Sequence, residues 1–535
     1  MNSIQKSFVK NPILILIAIN ILVGLFIFRD YGLTWDEPYF YSYGDALGYA
    51  YSPVNWFSGH FDLNNSYGVS GTDHKTRGPA YLFLARNVVY GFEKLGSDSA
   101  SAWHLVNFLF FQLGIYFLYR ISKRWVKPSA AFATAALFST QPLLWGHAFI
   151  NPKDPPFLTF FLISVCLGFD MVDKLVDVSL SNKQKIASTI IPALILGITT
   201  SIRVLGPLAG LLISIYLLSS LIQRKSIKTS KSLWFIFVGY GLLVVLIMLI
   251  TWPYLWENPF TNFIHVFSLM SDNPTNLAVL FSGQIYRAGD LPHRYLPFML
   301  AATLTEPVWI LFFVGLIVAY WKIFTKKIIK SGYSLSLTLI LAWFTILIVY
   351  VLLRRPAMYD GFRHFLFIAP PIFIFIGFAF EFLFEKVNFS VTYTYWLRAA
   401  ITIVLVAPGV AGIIQLHPYE YTYYNSFVGG TTGVFRKYET EYWLTCYKEA
   451  VEQLNQKTST PINLFIKREA YIAAPYANKN IHVLDLRDAT SQVKSGDYIL
   501  VNTRTNEDRS TFKDAPVVIE IKRGNATFCI VRQIP

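Results

Sequence analysis

Residues 11–37 read NPILILIAINILVGLFIFRDYGLTWDE, an unbroken apolar run that ends at Phe28 and is followed, eight residues on, by the acidic pair Asp36-Glu37. A helix needs about 20 apolar residues to cross the hydrocarbon core of a bilayer, so this run reads as a crossing. Lys6 and Lys10 precede it and no small-residue cleavage site follows, which predicts a retained signal anchor. Carboxylates this close to its end stand near headgroup level, where a lipid phosphate would also sit.

Working outward, runs of similar length begin near residues 100, 129, 156, 187, 204, 233, 297, 333, 365 and 399, for about eleven crossings in 535 residues. A hydrophobic content of 54% and a mean hydropathy of +0.43 exclude a set of soluble domains. The expected fold class is therefore a polytopic α-helical membrane protein. The net charge of +14 does not point to nucleic acid, because Lys and Arg fall in short clusters between apolar runs rather than on one stripe.

With a cytoplasmic N-terminus, the inner loops hold clusters such as Arg120, Lys123, Arg124 and Lys127, Arg224, Lys225, Lys228 and Lys231, and Lys322, Lys326, Lys327 and Lys330. The short outer loops hold only Lys153, Arg203, Arg354, Arg355 and Arg363, a positive-inside asymmetry. The runs at 187 and 204 could instead form one long or re-entrant feature. Three long polar segments then lie outside, at 29–99, 254–296 and 417–535. Within the first, PAYLFLARNVVYGFEKL (79–95) is amphipathic enough to lie in the membrane interface.

The expected domains are a transmembrane unit over 1–416 and a small extracytoplasmic α/β unit over 417–535. The latter has a helix near 439–456 and strands at INLFI, IHVLDL, YILVN and a VVIEIKR-GN-ATFCIVR hairpin. The three cysteines are too few and scattered for a disulfide framework. Internal repeats and Walker or dinucleotide motifs are absent from the sequence.

Chemistry should therefore gather on the outer face. Asp36 is placed to act as general base on an acceptor hydroxyl, although Thr34-Trp35-Asp36-Glu37 is also a capping box. Asn151-Pro152-Lys153-Asp154-Pro155 supplies a second acid that could equally cap the next helix. Lys153 beside it is a cation suited to a phosphate. Arg203, Arg354, Arg355, Arg363 and His364 stand on the side that positive charge avoids; an anionic headgroup explains them, as does snorkelling to ordinary phospholipid. His74 and the pair His293-Arg294 are weaker candidates for substrate contact. Zinc-type His or Cys clusters are absent, yet converging acids could still hold a divalent cation.

The D-E pair after the first span, the N-P-K-D element and Arg363-His-Phe-Leu-Phe-Ile-Ala-Pro-Pro371 resemble GT-C membrane glycosyltransferases. The resemblance is to the bacterial branch of the dolichyl-phosphate-mannose protein mannosyltransferase superfamily, which includes the lipid A aminoarabinose transferase. It covers about residues 10–420 and extends to HPYEYTYYNSFVGG after the last span. It implies an inverting enzyme that moves a sugar from a polyprenyl-phosphate donor to a lipid, protein or polysaccharide acceptor outside a bacterial plasma membrane. Asp36 would be the base with Glu37 beside it, Asp154 the second-loop acid, and Arg203 and Arg363 the basic residues near donor phosphate. Relatives carry an H-P-P or H-x-P-L-Y element late in the first loop, where this chain has His74-Lys-Thr-Arg-Gly-Pro79-Ala-Tyr81.

A transporter or flippase for lipid-linked sugars is the rival reading, and it requires ionisable residues at mid-span depth. A non-catalytic scaffold is the third, and many crossings are excessive for anchoring alone.

Overall fold

The computed structural model describes residues 11–69, 71–223, 231–271, 275–325, 332–387 and 391–535. Lys6, Lys10, Arg224, Lys225, Lys228, Lys326, Lys327 and Lys330 lie outside them.

The chain is an integral, multi-pass membrane protein. After α1 (Pro12–Ile27), the opening loop carries α2 (Glu37–Ala46) and α3 (Ala80–Lys94). The bundle continues with α4 (Ser99–Ser122), α5 (Pro128–Ser139), α6 (Pro142–Ile150), α7 (Asp154–Leu175), α8 (Asn182–Ile202), α9 (Pro207–Gln223) and α10 (Lys231–Thr251). The second loop contributes α11 (Pro259–Ser271) and a hairpin of β1 (Ala278–Phe281) and β2 (Gln284–Arg287). Then come α12 (Tyr295–Thr303), α13 (Pro307–Thr325), α14 (Gly332–Arg354), α15 (Ala369–Lys386) and α16 (Val391–Leu416).

Among the described residues eight helices are long and apolar enough to cross a membrane, with α1, α5 and α9 as shorter apolar helices. Two expected runs are broken. The run from 129 divides at Gln141-Pro142 into α5 and α6, and the run from 297 divides at Leu304–Glu306 into α12 and α13. Proline after each break sits at a helix start, where its missing N–H is not needed. The runs at 187 and 204 are two separate helices joined through Arg203–Gly206.

Burial separates the helices by role. The apolar windows of α7 and of the segment 363–386 that contains α15 are 89% buried, while those of α10 and α16 are 17% buried. The first pair is the centre of the bundle and the second faces lipid. Without a hydrophobic drive between helices in lipid, close approach of backbones does the packing. Gly315 of α13 illustrates it, lying directly against the Phe375 carbonyl of α15 where any Cβ would collide. At the end of α7 away from Asp154, Arg120 and Arg124 pair with Asp170 at 2.6 and 2.7 Å, and Lys322 pairs with Glu381 at 2.6 Å. These charges satisfy one another at span ends.

The helix α11 presents an apolar face outward. Phe260, Ile264 and Phe267 are exposed on it at spacings of four and three, while Val266 is buried on the other side.

The tail forms α17 (Cys446–Lys457) and strands β3 (Ile462–Ile466), β4 (Ile481–Asp485), β5 (Tyr498–Asn502), β6 (Val517–Arg523) and β7 (Ala526–Gln533). They make one sheet in the order β4-β3-β5-β7-β6, parallel across β4-β3-β5 and antiparallel from β5 onward. The helix starts later than expected because Leu444 has a left-handed φ of +65°. The Glu441 carboxylate then accepts from the backbone N–H groups of Leu444 and Thr445, at 3.0 and 2.7 Å, and closes the helix start.

Candidate active site

The two central helical segments both open at the same place. Asp154 is the first residue of α7, and Arg363 begins the short turn that leads into α15. Arg363 Nη1 lies 3.3 Å from Asp36 Oδ2 and 3.7 Å from Asp154 Oδ2, so one guanidinium links the acid of the opening loop to the acid of the second. Arg203 pairs with Asp154 Oδ1 and donates from Nη1 to the His364 carbonyl at 3.1 Å.

Capping does not account for either acid. Asp36 stands at the start of α2 but its side chain makes no capping bond. At α7 the N-cap position is Lys153, without a side-chain capping bond, and Asn151 Oδ1 instead accepts from the N–H groups of Lys153 and Asp154 at 3.1 and 3.0 Å. The Asn151 amide also donates to Asp154 Oδ2 at 2.9 Å. Both carboxylates are thus left for ion pairing.

Glu37 has a different role from its neighbour. It is wholly buried, accepts from Thr34 N–H at 2.6 Å and from the Tyr41 hydroxyl, and meets His104 Nε2 at 2.9 Å. That is half of the expected capping box; the Thr34 hydroxyl takes no part in it.

Asp36, Lys153, Arg203, Arg363 and His364 line a small cavity of about 30 Å³ together with Trp443 and Phe40. It adjoins a larger cleft of about 470 Å³, and Arg77, Lys153, Arg203, Tyr359 and His364 line both. The far wall of the cleft is apolar, built from Val204, Leu205, Trp252, Val266, Leu269 and Met270. A chamber that sets one carboxylate, Asp36, among Arg77, Lys153, Arg203 and Arg363 therefore adjoins a cleft with an apolar wall. Burial, reinforced by Arg77 and Arg203, pushes the Lys153 amine well below the usual lysine range. The same amine lies 5.6 Å from the centre of the Phe40 ring.

Other expected residues lie elsewhere. Arg354 and Arg355 are exposed at and just beyond the end of α14 and line neither space. His293 bonds the Leu352 carbonyl at 3.0 Å, and Arg294 lies over Phe281. His74 is buried between Tyr39 and Phe40, beside the cavity wall.

Several residues at the site carried no weight in the sequence reading. Arg77 sat in the same motif as His74, and its Nε is buried without a hydrogen-bond partner among the described residues. Asp360 holds Arg363 Nε at 3.2 Å, three residues ahead of it. Trp443 and Tyr359 lie 4.9 and 5.1 Å from the Arg363 guanidinium, stacking it from the tail and from its own loop. The tail residues had no local signal at all.

Among the described residues there is no group of three or more His, Cys, Asp or Glu side chains gathered for a metal ion. Asp154 gives its oxygens to Arg203, Arg363 and Asn151, so the donor set does not fit a dedicated divalent ion.

No family model matches the sequence, and no curated protein sequence does. Solved structures do match. The Archaeoglobus fulgidus oligosaccharyltransferase AglB, in complex with an inhibitory peptide and a dolichol-phosphate, aligns over 95% of this chain and 71% of its own, with a TM-score of 0.54 and 11% identity. ArnT from Cupriavidus metallidurans bound to undecaprenyl phosphate aligns over 97% of both chains, with a TM-score of 0.48 and 13% identity. The mycobacterial arabinofuranosyltransferase AftD aligns over 97% of this chain and 40% of its own, with a TM-score of 0.39 and 11% identity. The fold is that of the GT-C membrane glycosyltransferases, with a small C-terminal α/β sheet unit.

Proposed function

We propose that this GT-C chain is an inverting glycosyltransferase that moves a sugar from a polyprenyl-phosphate donor to an acceptor hydroxyl on the extracytoplasmic face of a bacterial plasma membrane. The N-terminus is then cytoplasmic and residues 417–535 lie outside. The acceptor is a lipid, protein or polysaccharide. The observation that carries the reading is the bridging of Asp36 and Asp154 by Arg363 in a chamber that opens past Arg77, Lys153 and Arg203 onto an apolar trough.

That arrangement matches what the reaction requires. The acceptor oxygen attacks the anomeric carbon as the bond from that carbon to the phosphate oxygen breaks, and the acceptor proton passes to the Asp36 carboxylate. The electron pair leaves with the polyprenyl phosphate, whose growing negative charge faces Arg77 and Arg203. Charge stabilisation that strengthens as the bond breaks lowers the barrier rather than only tightening binding. A phosphate is already a good leaving group, so the second carboxylate need not be an acid as it is in glycosidases. Asp154 instead orients Arg203 and Arg363.

Purified protein incubated with a radiolabelled polyprenyl-phosphate sugar and extracted envelope acceptors tests the reading. Label moving to an acceptor supports it. Label that crosses a vesicle membrane on its original lipid, with no transfer, replaces it with a flippase.

A further inference from the structure

The tail grips the segment that leads into Asp36 at three points. Tyr476 Oη accepts from Leu33 N–H at 3.0 Å, the Tyr471 hydroxyl donates to the Trp35 carbonyl at 2.8 Å, and the Arg504 guanidinium lies 4.6 Å from the centre of the Trp35 ring. Asp36 is the next residue. Arg504, in the turn directly after β5, also reaches the opposite wall. Its Nη1 donates to Asp360 Oδ1 at 2.6 Å and to the Tyr442 carbonyl at 2.7 Å. The other oxygen of Asp360 takes the Trp443 indole N–H at 3.0 Å and faces Arg363 Nε at 3.2 Å.

The Asp360 backbone shows why an outside support is needed. Asp360 and Gly361 have φ of +57° and +68°, a left-handed pair that turns the loop sharply before Arg363. An aspartate held there is strained unless its surroundings fix it. Asp360 and Arg504 are both almost fully buried and pair at 2.6 Å, with Arg363 as the second cation on Asp360 and Glu439 at 3.6 Å as the second acid near Arg504.

We infer that the C-terminal unit is a clamp on the active site, with Arg504 as a positioning residue that holds the Asp36 segment and the Arg363 loop in register. This rests on the assignment of Asp36 and Arg363 proposed above. Arg504 lines neither the cavity nor the cleft; it acts through Trp35 on one side and Asp360 on the other. A displacement of about 1 Å between reacting groups is enough for a hundredfold loss of rate.

The test combines turnover with backbone hydrogen exchange in the full-length protein. Arg504→Met should lower kcat about ten- to a hundredfold with the donor KM within about threefold. Exchange should rise in residues 33–40 and 356–364 and stay unchanged within α7 and α15. Arg504→Lys, which keeps the charge, should recover part of the rate. Where Arg504→Met fails to fold, the double variant Tyr471→Phe, Tyr476→Phe carries the same test, with faster exchange over 33–40 and a lower kcat expected. Parental exchange and turnover in whichever variant folds, alongside an inactive Asp36→Asn, overturn the clamp and leave the assignment of the base intact. An active Asp36→Asn overturns that assignment instead, and the exchange result then decides the clamp by itself.

Discussion

Arg363 and Asp36 meet at 3.3 Å across 327 residues of chain. The contact joins the loop after α1 to the turn entering α15, and Asp154 at 3.7 Å extends it to the head of α7. The centre of the bundle and the reactive chamber are therefore the same construction.

Asp36→Asn keeps the volume and the hydrogen-bonding shape but cannot take up a proton at neutral pH. Transfer should fall by about 100- to 10,000-fold with insertion and donor binding preserved. Near-parental turnover in a folded variant refutes its role as base.

Arg363 serves three carboxylates, Asp36, Asp154 and Asp360. Arg363→Met leaves all three facing one another and should cost about 3–5 kcal/mol of stability as well as activity. Arg363→Lys should unfold later than the Met variant yet stay at least about tenfold slower than the parent, since an ammonium cannot span the same geometry. Thermal unfolding of the two proteins in detergent, run beside the transfer assay, separates these effects.

Of Arg77, Arg354 and Arg355, only Arg77 lines the cleft. Arg77→Ala should raise the donor KM about tenfold, the worth of one charge-assisted contact. Replacing Arg354 and Arg355 together should change turnover by less than about twofold. Equal losses in both proteins would place the phosphate somewhere else.

Gly78 sits with its Cα directly against the Ser201 carbonyl at the end of α8. A Cβ there meets rigid backbone, so Gly78→Ala must push the opening loop away from Arg203 and carry Arg77 with it. The expected result is a donor-binding defect like that of Arg77→Ala in a protein that still inserts. Unaltered donor affinity would show that the loop adapts.

Glu439 is buried between Asp360 and Arg504, and burial, only partly offset by Arg504 and added to by Asp360, raises its carboxyl to about 8. An acid raised in the folded state binds its proton more tightly there than in the unfolded chain. Stability from this group is therefore full at acidic pH and declines as pH rises from the ordinary carboxylate range to about 8, by up to about 1.4 kcal/mol per pH unit. Glu439→Gln should flatten that slope and unfold at the higher temperature at alkaline pH. Parallel pH curves for the two proteins would exclude it.

What the sequence revealed depended on depth. Apolar runs fix where each loop emerges, so Asp36, Asp154, Arg203 and Arg363 could be placed on one face without knowing any contact. Depth says nothing about direction. Arg354, Arg355 and Arg363 share a loop, but α14 ends at Arg354 and only the left-handed turn at Asp360-Gly361 aims a guanidinium inward. Glu37 is adjacent to Asp36, yet one step along a helix start points it into the His104 pocket. Trp443 and Arg504 were illegible for another reason: they return from the tail to a site formed some 400 residues earlier, and no periodicity records such a return.

Two guanidiniums of the cavity are already engaged before any ligand arrives, Arg203 with Asp154 and Arg363 with three acids. Capturing an anion here is an exchange of partners rather than the filling of a bare berth. Ordinary phospholipids bathe the protein in vast excess, but their phosphates offer little to compensate for the carboxylates they would displace. On the proposed function, a lipid whose sugar also docks against the chamber would have that compensation, and selectivity against the surrounding bilayer would follow from the protein having neutralised itself in advance.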